Sequence, residues 1–248
     1  MSTWTSKESF GNGITCYRGV IKKDLDVINR LESVLGEPAP WGELSKDGKR
    51  YHWLPAYVGY QQLMPDYRDC YDFKFKKTDI ESDPSEDSLF LQKIWQDVYD
   101  VQAPAVDDYR RDYNIMPLKY WEAFNFIKYN SGQHFKEHHD HGYSYNCTVS
   151  LVAYINDDYD GGELYFRLQD LNIKPQAGDL YIFPSNFMYP HRAMPVINGT
   201  KYSIVTMLDY SKKYHTPDMY DPKWENELCL IEIGWMLLQK IMLIDVFQ

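Results

Sequence analysis

Short runs of β-branched and aromatic residues follow Pro117 and alternate with clusters of Gly, Asn and Asp. Such runs are typical of strands, and small polar clusters between them are typical of tight turns. Five strands are predicted, at residues 120–129, 146–155, 163–168, 179–183 and 201–209. The second half of the chain is therefore predicted to be all-β, as a sandwich or a barrel.

The first half is predicted to contribute a layer of helices and loops. Apolar residues recur at helical spacing from residue 24 to residue 35, where Gly36 ends the pattern. A second helix is predicted from Ser88 to about residue 114, and Pro104 is predicted to break it before a third, short helix. Residues 37–84 hold several prolines and many tyrosines without a sustained period, which predicts long loops with at most a short strand.

The aromatic loops at 41–86 have two interpretations. A long connection rich in Trp and Tyr suits a lid that closes over a substrate and excludes water. The same rings suit a permanent cover over one face of the sheet. The sequence does not discriminate between the two.

The length of 248 residues suits one large domain. The patterns divide it into N-terminal helices and loops at 1–116, a β core at 117–212 and a helical tail at 213–248. The tail is strongly apolar, but it contains Glu232, Lys240 and Asp245, and each charge would cost about 3 kcal/mol near a bilayer centre. We therefore expect no membrane span, but an amphipathic helix that packs on the domain or on a second copy in a homodimer.

Charge and cysteine usage narrow the partners and the location. The formal net charge is -10, and such a field repels phosphate backbones, so nucleic acid is not expected as a partner. Lys7 and Glu8 lie where a secretory signal would need an apolar run, so no export signal is expected. The four cysteines are scattered without a CxxC pair, which predicts reduced thiols in the cytoplasm.

One short segment concentrates the best metal-ligand candidates. These are His134, His138, His139, Asp140 and His141. On an extended chain, residues two apart point to the same side. One register therefore brings His138 together with Asp140, and the other brings His139 together with His141.

A third ligand has to come from elsewhere in the chain. Outside the segment, three histidines remain: His52, His191 and His215. His191 follows the predicted strand at 179–183. Two neighbouring ligands and one distant histidine have the spacing of a 2-His-1-carboxylate iron site, which leaves positions open for a chelating co-substrate and dioxygen. The set His138, Asp140 and His191 fits that site.

Further landmarks occur in uninterrupted order between about residues 120 and 210. They are Tyr129-x-x-Gly132-x-x-Phe135-x-x-His138-x-Asp140, GGEL at 161–164, Gly178-Asp179 before LYIF, His191, Pro195-Val196, and Gly199-x-Lys201-Tyr202. The series resembles the prolyl 4-hydroxylase-like group of iron(II)/2-oxoglutarate dioxygenases. The resemblance does not extend to residues 1–110. It implies a mainly β fold, with a double-stranded β-helix (jelly-roll) core, to which the predicted N-terminal helical layer and C-terminal helix are added.

The resemblance also implies cofactors and roles. His138, Asp140 and His191 would bind iron(II), with 2-oxoglutarate and dioxygen as co-substrates and ascorbate as a candidate additional cofactor. Lys201 matches the group's basic residue for the far carboxylate of 2-oxoglutarate, and an anionic guest explains a buried lysine better than packing does. Three further residues are candidate contacts to the same molecule: Tyr129, Tyr154 and Ser203.

The connection between His191 and Lys201 constrains the geometry. If Asn198 and Gly199 made a two-residue hairpin, His191 and Lys201 would lie on opposite faces and could not share a pocket. Residues 192–199 are therefore predicted to contain a bulge or a wider loop.

The predicted activity is hydroxylation of an unactivated C–H bond, with release of succinate and carbon dioxide. A prolyl residue in a peptide or protein is the leading substrate, and a free amino acid or other small molecule is the alternative. Prolyl hydroxylases of the group usually place an arginine early in the strand after HxD, whereas this chain has Tyr145-Asn146-Cys147-Thr148. Demethylation of nucleic acid ranks lower because the chain is acidic. Halogenation is disfavoured because it needs a metal site without the carboxylate ligand, and Asp140 is present.

A different class of protein gives the competing interpretation. A jelly-roll binding protein without catalysis would hold a structural or adventitious metal at a cupin-like site of His139, His141 and His191. Lys201 would then have no special role.

Overall fold

The computed structural model describes residues 2–40, 42–58, 62–75, 83–142 and 146–211. The predicted C-terminal helix, the homodimer contact assigned to it and His215 lie outside the described residues. No helix in these ranges is long and apolar enough to cross a membrane.

The described strands occur along the whole of the described chain. They are β1 (Ser6–Gly11), β2 (Ile14–Arg18), β3 (Leu54–Pro55), β4 (Arg68–Asp69), β5 (Tyr71–Phe75), β6 (Tyr120–Trp121), β7 (Phe124–Tyr129), β8 (His134–His138), β9 (Val149–Tyr154), β10 (Asp160–Gly161), β11 (Leu164–Phe166), β12 (Leu171–Ile173), β13 (Leu180–Pro184), β14 (His191–Ala193), β15 (Val196–Asn198) and β16 (Lys201–Asp209). Each of the five predicted strands overlaps observed strands, and the one at 201–209 matches β16 at both ends.

Two antiparallel sheets form the core. The large sheet has the order β1-β2-β13-β9-β16-β7-β5-β3, with β6 beside β16, and the smaller sheet has the order β12-β11-β14-β8-β4. Side chains of both sheets meet in one buried cluster, in which Val152 and Phe183 of the large sheet pack with Phe166 of the smaller one. The predicted mainly β class is confirmed.

Strand β9 shows how the large sheet divides its two faces. Leu151 and Ala153 belong to the cluster that includes the helices, whereas Val152 and Tyr154 belong to the cluster between the sheets. All six of its residues are buried. The alternation follows from the pleat, which points successive side chains to opposite faces, and it directs Tyr154 into the space between the sheets.

Within the described ranges, two α-helices cover the outer face of the large sheet. They are α1 (Val27–Val34) and α2 (Glu86–Asp112). The Ser85 side chain accepts a hydrogen bond from the Ser88 backbone N–H and caps the first turn of α2. The buried residues of α2 include Leu91, Ile94 and Val98, which belong to the same cluster as Leu31 of α1.

The predicted break at Pro104 is wrong, because α2 continues through it to Asp112. A proline inside a helix removes one backbone hydrogen bond and clashes with the preceding turn. Here the flanking residues Ala103, Ala105 and Val106 are buried against the core. We attribute the continuity to this packing, which offsets the local cost of the proline.

The described part of residues 1–116 contains five strands, whereas the sequence predicted at most one short strand there, within residues 37–84. Strand β2 pairs with β13 and β5 pairs with β7, so both extend the large sheet. Residues 37–84 therefore contain more than the single short strand predicted. Trp53 in this segment is buried in the core, and the movement of a lid at 41–86 stays a prediction.

Gly178 has a backbone that only glycine adopts without strain. Its φ is +88°, and an added Cβ would lie 2.8 Å from the Ile21 carbonyl oxygen. We expect Gly178→Ala to lower the free energy of unfolding by about 3 kcal/mol, from left-handed strain plus overpacking. Chemical denaturation with the wild-type chain as reference measures this loss.

Gly48 offers a matched control for the close approach at Gly178. Its φ is +76°, but an added Cβ would meet no atom within 4 Å. Gly48→Ala should therefore cost only the strain of about 1 kcal/mol. Equal losses in the two variants would contradict the close approach of Gly178 to Ile21.

Candidate metal centre

The pairing of β8 with β14 brings together three side chains that are distant in sequence. His138 ends β8, and its partner across the antiparallel pair is His191, the first residue of β14. Asp140 lies two residues beyond the end of β8. Because directly opposed residues in antiparallel strands lie about 5 Å apart at Cα, this register alone makes the two imidazoles neighbours.

The donor atoms of the three residues converge on one point. Asp140 Oδ1 lies 3.6 Å from His138 Nε2, and Asp140 Oδ2 lies 3.8 Å from His191 Nε2. One ligand atom from each residue lies within 4.8 Å of the others. Among the described residues, no Lys or Arg side chain forms an ion pair with the Asp140 carboxylate. The cluster therefore has the ligand separations and the negative charge of a divalent metal site.

Backbone carbonyls orient both imidazoles. His138 Nδ1 lies 2.8 Å from the Lys136 oxygen, and His191 Nδ1 lies 3.0 Å from the Tyr189 oxygen. A carbonyl can only accept, so Nδ1 carries the proton in each ring and Nε2 keeps its lone pair for a ligand. Burial lowers the pKa of His138 well below its ordinary value, and neighbouring His191 lowers it further. The neutral imidazole is the form that binds metals.

Two serines support the carboxylate. The Ser150 hydroxyl donates to Asp140 Oδ2 over 2.5 Å, and the Ser185 hydroxyl lies 2.7 Å from that of Ser150. The Asp140 side chain is only 6% exposed. This chain of hydroxyls leaves Oδ1 as the carboxylate oxygen without a serine partner.

His139 and His141 lie outside the cluster. Both are exposed, and His141 Nδ1 instead lies 2.8 Å from the Cys147 carbonyl oxygen. Within the described residues, the set His139, His141 and His191 does not form a metal-sized group. His138 and Asp140 therefore lie in the cluster and His139 and His141 lie outside it, which is the division that strand parity predicts.

A cavity between the sheets adjoins the metal cluster, and Lys201 lies on its wall. The lysine is 1% exposed, and its Nζ donates to the Gly162 carbonyl oxygen over 3.1 Å. The ammonium lies 4.3 Å from the centroid of the Tyr129 ring. Burial lowers the pKa of Lys201 to about 7, and no carboxylate among the described residues forms an ion pair with it.

The other predicted contacts line the same cavity, namely Tyr129, Tyr154 and Ser203. Tyr129 lies directly opposite Lys201 across β7 and β16, and Ser203 lies opposite Tyr154 across β16 and β9. Burial raises the pKa values of both tyrosines well above the ordinary value. Both phenols therefore stay protonated and can donate hydrogen bonds.

The segment between His191 and Lys201 is not a simple hairpin. His191 belongs to the smaller sheet, whereas Lys201 begins β16 in the large sheet. Between them, β15 pairs with β10 instead of with β16. The two residues reach one cavity from facing sheets, so the two-residue hairpin is excluded as the sequence analysis expected.

Two polar residues of the cavity wall were missed by sequence analysis, namely Arg68 and Asn125. Asn125 shares the inward parity of Ile127 and Tyr129 along β7, so the alternation could have located it. Arg68 lies in the proline-rich region without periodicity, where no local signal indicates β4.

The chain matches known proteins over its β core. Residues 124–208 match the model of the 2OG-Fe(II) oxygenase superfamily. The 85 matched residues make up about a third of the 248-residue chain. The resemblance predicted from the landmarks is thereby confirmed over these residues, which contain all seven predicted site residues.

Similar proteins include prolyl 4-hydroxylases. A putative prolyl 4-hydroxylase of Acanthamoeba polyphaga mimivirus is 27% identical over 119 residues, which cover 40% of this chain and 49% of that protein. The chain thus spans about half the length, or less, of the curated relatives it matches.

Solved structures of prolyl hydroxylases share the fold. One is a Trichoplax adhaerens prolyl hydroxylase in complex with a peptide fragment of hypoxia inducible factor, with a TM-score of 0.57 and 13% identity over 80% of this chain and 84% of that one. Another is a viral collagen prolyl hydroxylase of Paramecium Bursaria Chlorella virus-1 in complex with 2OG, with a TM-score of 0.54 and 15% identity over 80% and 96%. The predicted jelly-roll class is confirmed at the level of fold.

Metal binding tests the separation of the histidines. We expect His138→Ala and His191→Ala to weaken manganese(II) binding at least about a hundredfold, or about 2.7 kcal/mol, because each removes one of three ligands. The exposed His139 is the control, and His139→Ala should bind as the wild-type protein does. Isothermal titration calorimetry measures the affinities, and a loss in His139→Ala equal to that in His138→Ala would contradict the assignment.

Proposed function

We propose that this protein is an iron(II)- and 2-oxoglutarate-dependent dioxygenase that hydroxylates an unactivated C–H bond. The observation that carries the proposal is the group of two Nε2 atoms and one carboxylate beside a cavity whose wall holds a buried lysine without a carboxylate partner among the described residues. The match of residues 124–208 to the 2OG-Fe(II) oxygenase model supports iron(II), 2-oxoglutarate and dioxygen as its reactants.

In this proposal His138, Asp140 and His191 would hold the iron through their two Nε2 atoms and a carboxylate oxygen. Bound iron supplies the oxidation, in which R–H, 2-oxoglutarate and O₂ become R–OH, succinate and CO₂. The contribution of the protein is ligation, orientation and exclusion of water. The outer hydrogen bonds to Lys136 and Tyr189 hold each ring so that Nε2 faces the metal.

Lys201 binds the far carboxylate of 2-oxoglutarate in this proposal. A buried ammonium without a carboxylate partner is costly in the empty protein, and a dicarboxylate that enters the cavity offsets that cost. Tyr129 and Tyr154 flank the ammonium, with ring centroids at 4.3 and 5.8 Å. Their protonated phenols and the Ser203 hydroxyl supply further hydrogen bonds to the anion.

The proposed substrate is a prolyl residue in a peptide. The support comes from the relatives, which are described as prolyl 4-hydroxylases, and from the peptide bound to the Trichoplax adhaerens enzyme. A free amino acid or another small molecule is the second candidate, favoured by the absence of arginine at Tyr145-Asn146-Cys147-Thr148. Ascorbate as an additional cofactor and a homodimer through the tail are further parts of the proposal.

Turnover tests the proposed function directly. With iron(II), 2-oxoglutarate and oxygen, the wild-type protein should release succinate, and a pool of blocked prolyl tripeptides should gain the mass of one oxygen. Asp140→Ala should abolish both signals, because it removes the carboxylate ligand. Absence of succinate from the wild-type protein would overturn the proposal, and succinate without any modified peptide would favour the small-molecule substrate.

The dependence of 2-oxoglutarate binding on pH tests the role of Lys201. Burial holds the pKa of Lys201 near 7 in the empty protein, so above that pH the lysine must gain a proton before it can pair with the anion. The dissociation constant should be flat below pH 7 and should rise by up to about tenfold per pH unit above it. Equilibrium dialysis with the manganese(II)-loaded protein measures this.

Two variants complete the test of Lys201. Lys201→Ala should weaken binding of 2-oxoglutarate at least about tenfold at pH 6.5. Lys201→Arg keeps a permanent cation and should flatten the rise above pH 7. A dissociation constant of 2-oxoglutarate that stays constant from pH 6 to pH 9 in the wild-type protein would show that Lys201 does not bind this molecule.

A further inference from the structure

We propose that Arg68 and Asn125 form a subsite that binds one peptide unit of the substrate beside the reacting carbon. The inference deepens the proposed function and rests on it for the reaction that follows binding. It starts from two buried polar atoms, Arg68 Nε and Asn125 Oδ1, which have no hydrogen-bond partner among the described residues. Both residues line the cavity that the metal cluster adjoins.

Arg68 is held firmly by its other nitrogens. One terminal nitrogen donates to the Tyr57 carbonyl oxygen over 3.0 Å, and the other lies 3.0 Å from Asp72 Oδ2. These two contacts fix the plane of the guanidinium, and Nε–H remains as a donor in a set direction. The Arg68 side chain is 12% exposed, so water supplies little compensation.

Arg68 lies close to the metal cluster. Its guanidinium carbon lies 5.0 Å above the centroid of the Phe135 ring, and that ring stacks on His138 with a centroid distance of 3.6 Å. The backbone agrees, because Arg68 pairs with Phe135 across β4 and β8. The Arg68 guanidinium is therefore separated from the imidazole of one metal ligand, His138, by one aromatic ring.

Asn125 lies away from the end of the cavity assigned to 2-oxoglutarate. It is four residues before Tyr129 on β7, which is about 14 Å along a strand. Across β16, Asn125 pairs with Val205 whereas Tyr129 pairs with Lys201. A five-carbon diacid whose far carboxylate reaches Lys201 does not extend to Asn125, so the unpaired oxygen serves a different molecule.

The two atoms together define the chemistry of that molecule. Arg68 Nε–H needs an acceptor, and Asn125 Oδ1 needs a donor. Leaving either atom unpaired in the interior costs about 1–3 kcal/mol. A secondary amide offers a carbonyl oxygen and an N–H in one rigid group, whereas a carboxylate or a phosphate only accepts. The pair therefore matches a peptide unit better than an acidic metabolite.

The experiment compares an amide with its ester. The probe is the prolyl tripeptide of the blocked pool that gains oxygen fastest, together with the analogue in which the amide N–H next to the reacting residue is replaced by an ester oxygen. The wild-type protein should prefer the amide at least tenfold in kcat/KM, because the ester has no donor for Asn125. Asn125→Ala should hydroxylate the two probes equally.

Arg68→Lys tests the second atom without leaving Asp72 unpaired. A lysine keeps the positive charge but has no donor at the Nε position, so KM for the peptide should rise about tenfold with 2-oxoglutarate affinity unchanged. Met207→Leu is the matched control, since Met207 lines the same cavity without a strong polar atom. It should retain the wild-type KM.

The outcomes separate this inference from the proposed function. If the wild-type protein forms succinate, and if Asn125→Ala and Arg68→Lys hydroxylate both probes as the wild-type protein does, the subsite alone is overturned. Loss of peptide-free succinate formation in both variants would place the two residues in the metal or 2-oxoglutarate site, which also overturns it. Wild-type protein that releases succinate but modifies no prolyl peptide would exclude a peptide unit as the occupant. Absence of wild-type succinate would overturn the proposed function, and the subsite would fall with it.

Discussion

The register between β8 and β14 is the constraint on which the candidate site depends. It places His191 opposite His138, and Asp140 completes the group within two residues of the strand end. A shift of β14 by one residue along β8 would point its side chains to the opposite face, so the His191 imidazole would leave the cluster. The serines behind Asp140 and the carbonyls behind each imidazole then refine positions that strand pairing has already set.

The two faces of the large sheet have different roles, since one packs on helices and the other lines the cavity. Its outer face packs on α1 and α2, which supplies much of the apolar burial. Its inner face is free to carry polar groups, including Lys201 on β16 and Asn125 on β7. Such groups are costly in a sealed interior, and we attribute their retention to the stability that the packed outer face supplies. In the proposed function Lys201 would bind a dianion, and in the proposed subsite Asn125 would bind an amide.

Local pattern was enough to predict some parts of the structure and not others. Parity in one short segment paired His138 with Asp140 but left the pair His139 and His141 open. The spacing of a 2-His-1-carboxylate site and the order of the landmarks then indicated His138, Asp140 and His191, and the landmarks indicated Lys201. Strand β2 was missed because its pairing with β13 joins Tyr17 to Leu180, a contact that no local window contains. Pro104 was misjudged for the same reason, since tertiary packing of α2 overrides its propensity. Arg68 gained its place in the cavity from pairing with Phe135, which the irregular sequence around it does not indicate.

The central claim is that one cavity holds a metal on the His138, Asp140 and His191 group and a keto acid anchored at Lys201. An anaerobic titration of the protein with iron(II) and then 2-oxoglutarate measures this most directly, because only a chelate of the two gives a weak visible charge-transfer band. We expect a saturable band in the wild-type protein, a shift of its midpoint to higher 2-oxoglutarate concentration in Lys201→Ala, and no band in Asp140→Ala. Absence of the band from the wild-type protein, or a band of equal strength in Asp140→Ala, would contradict the central claim.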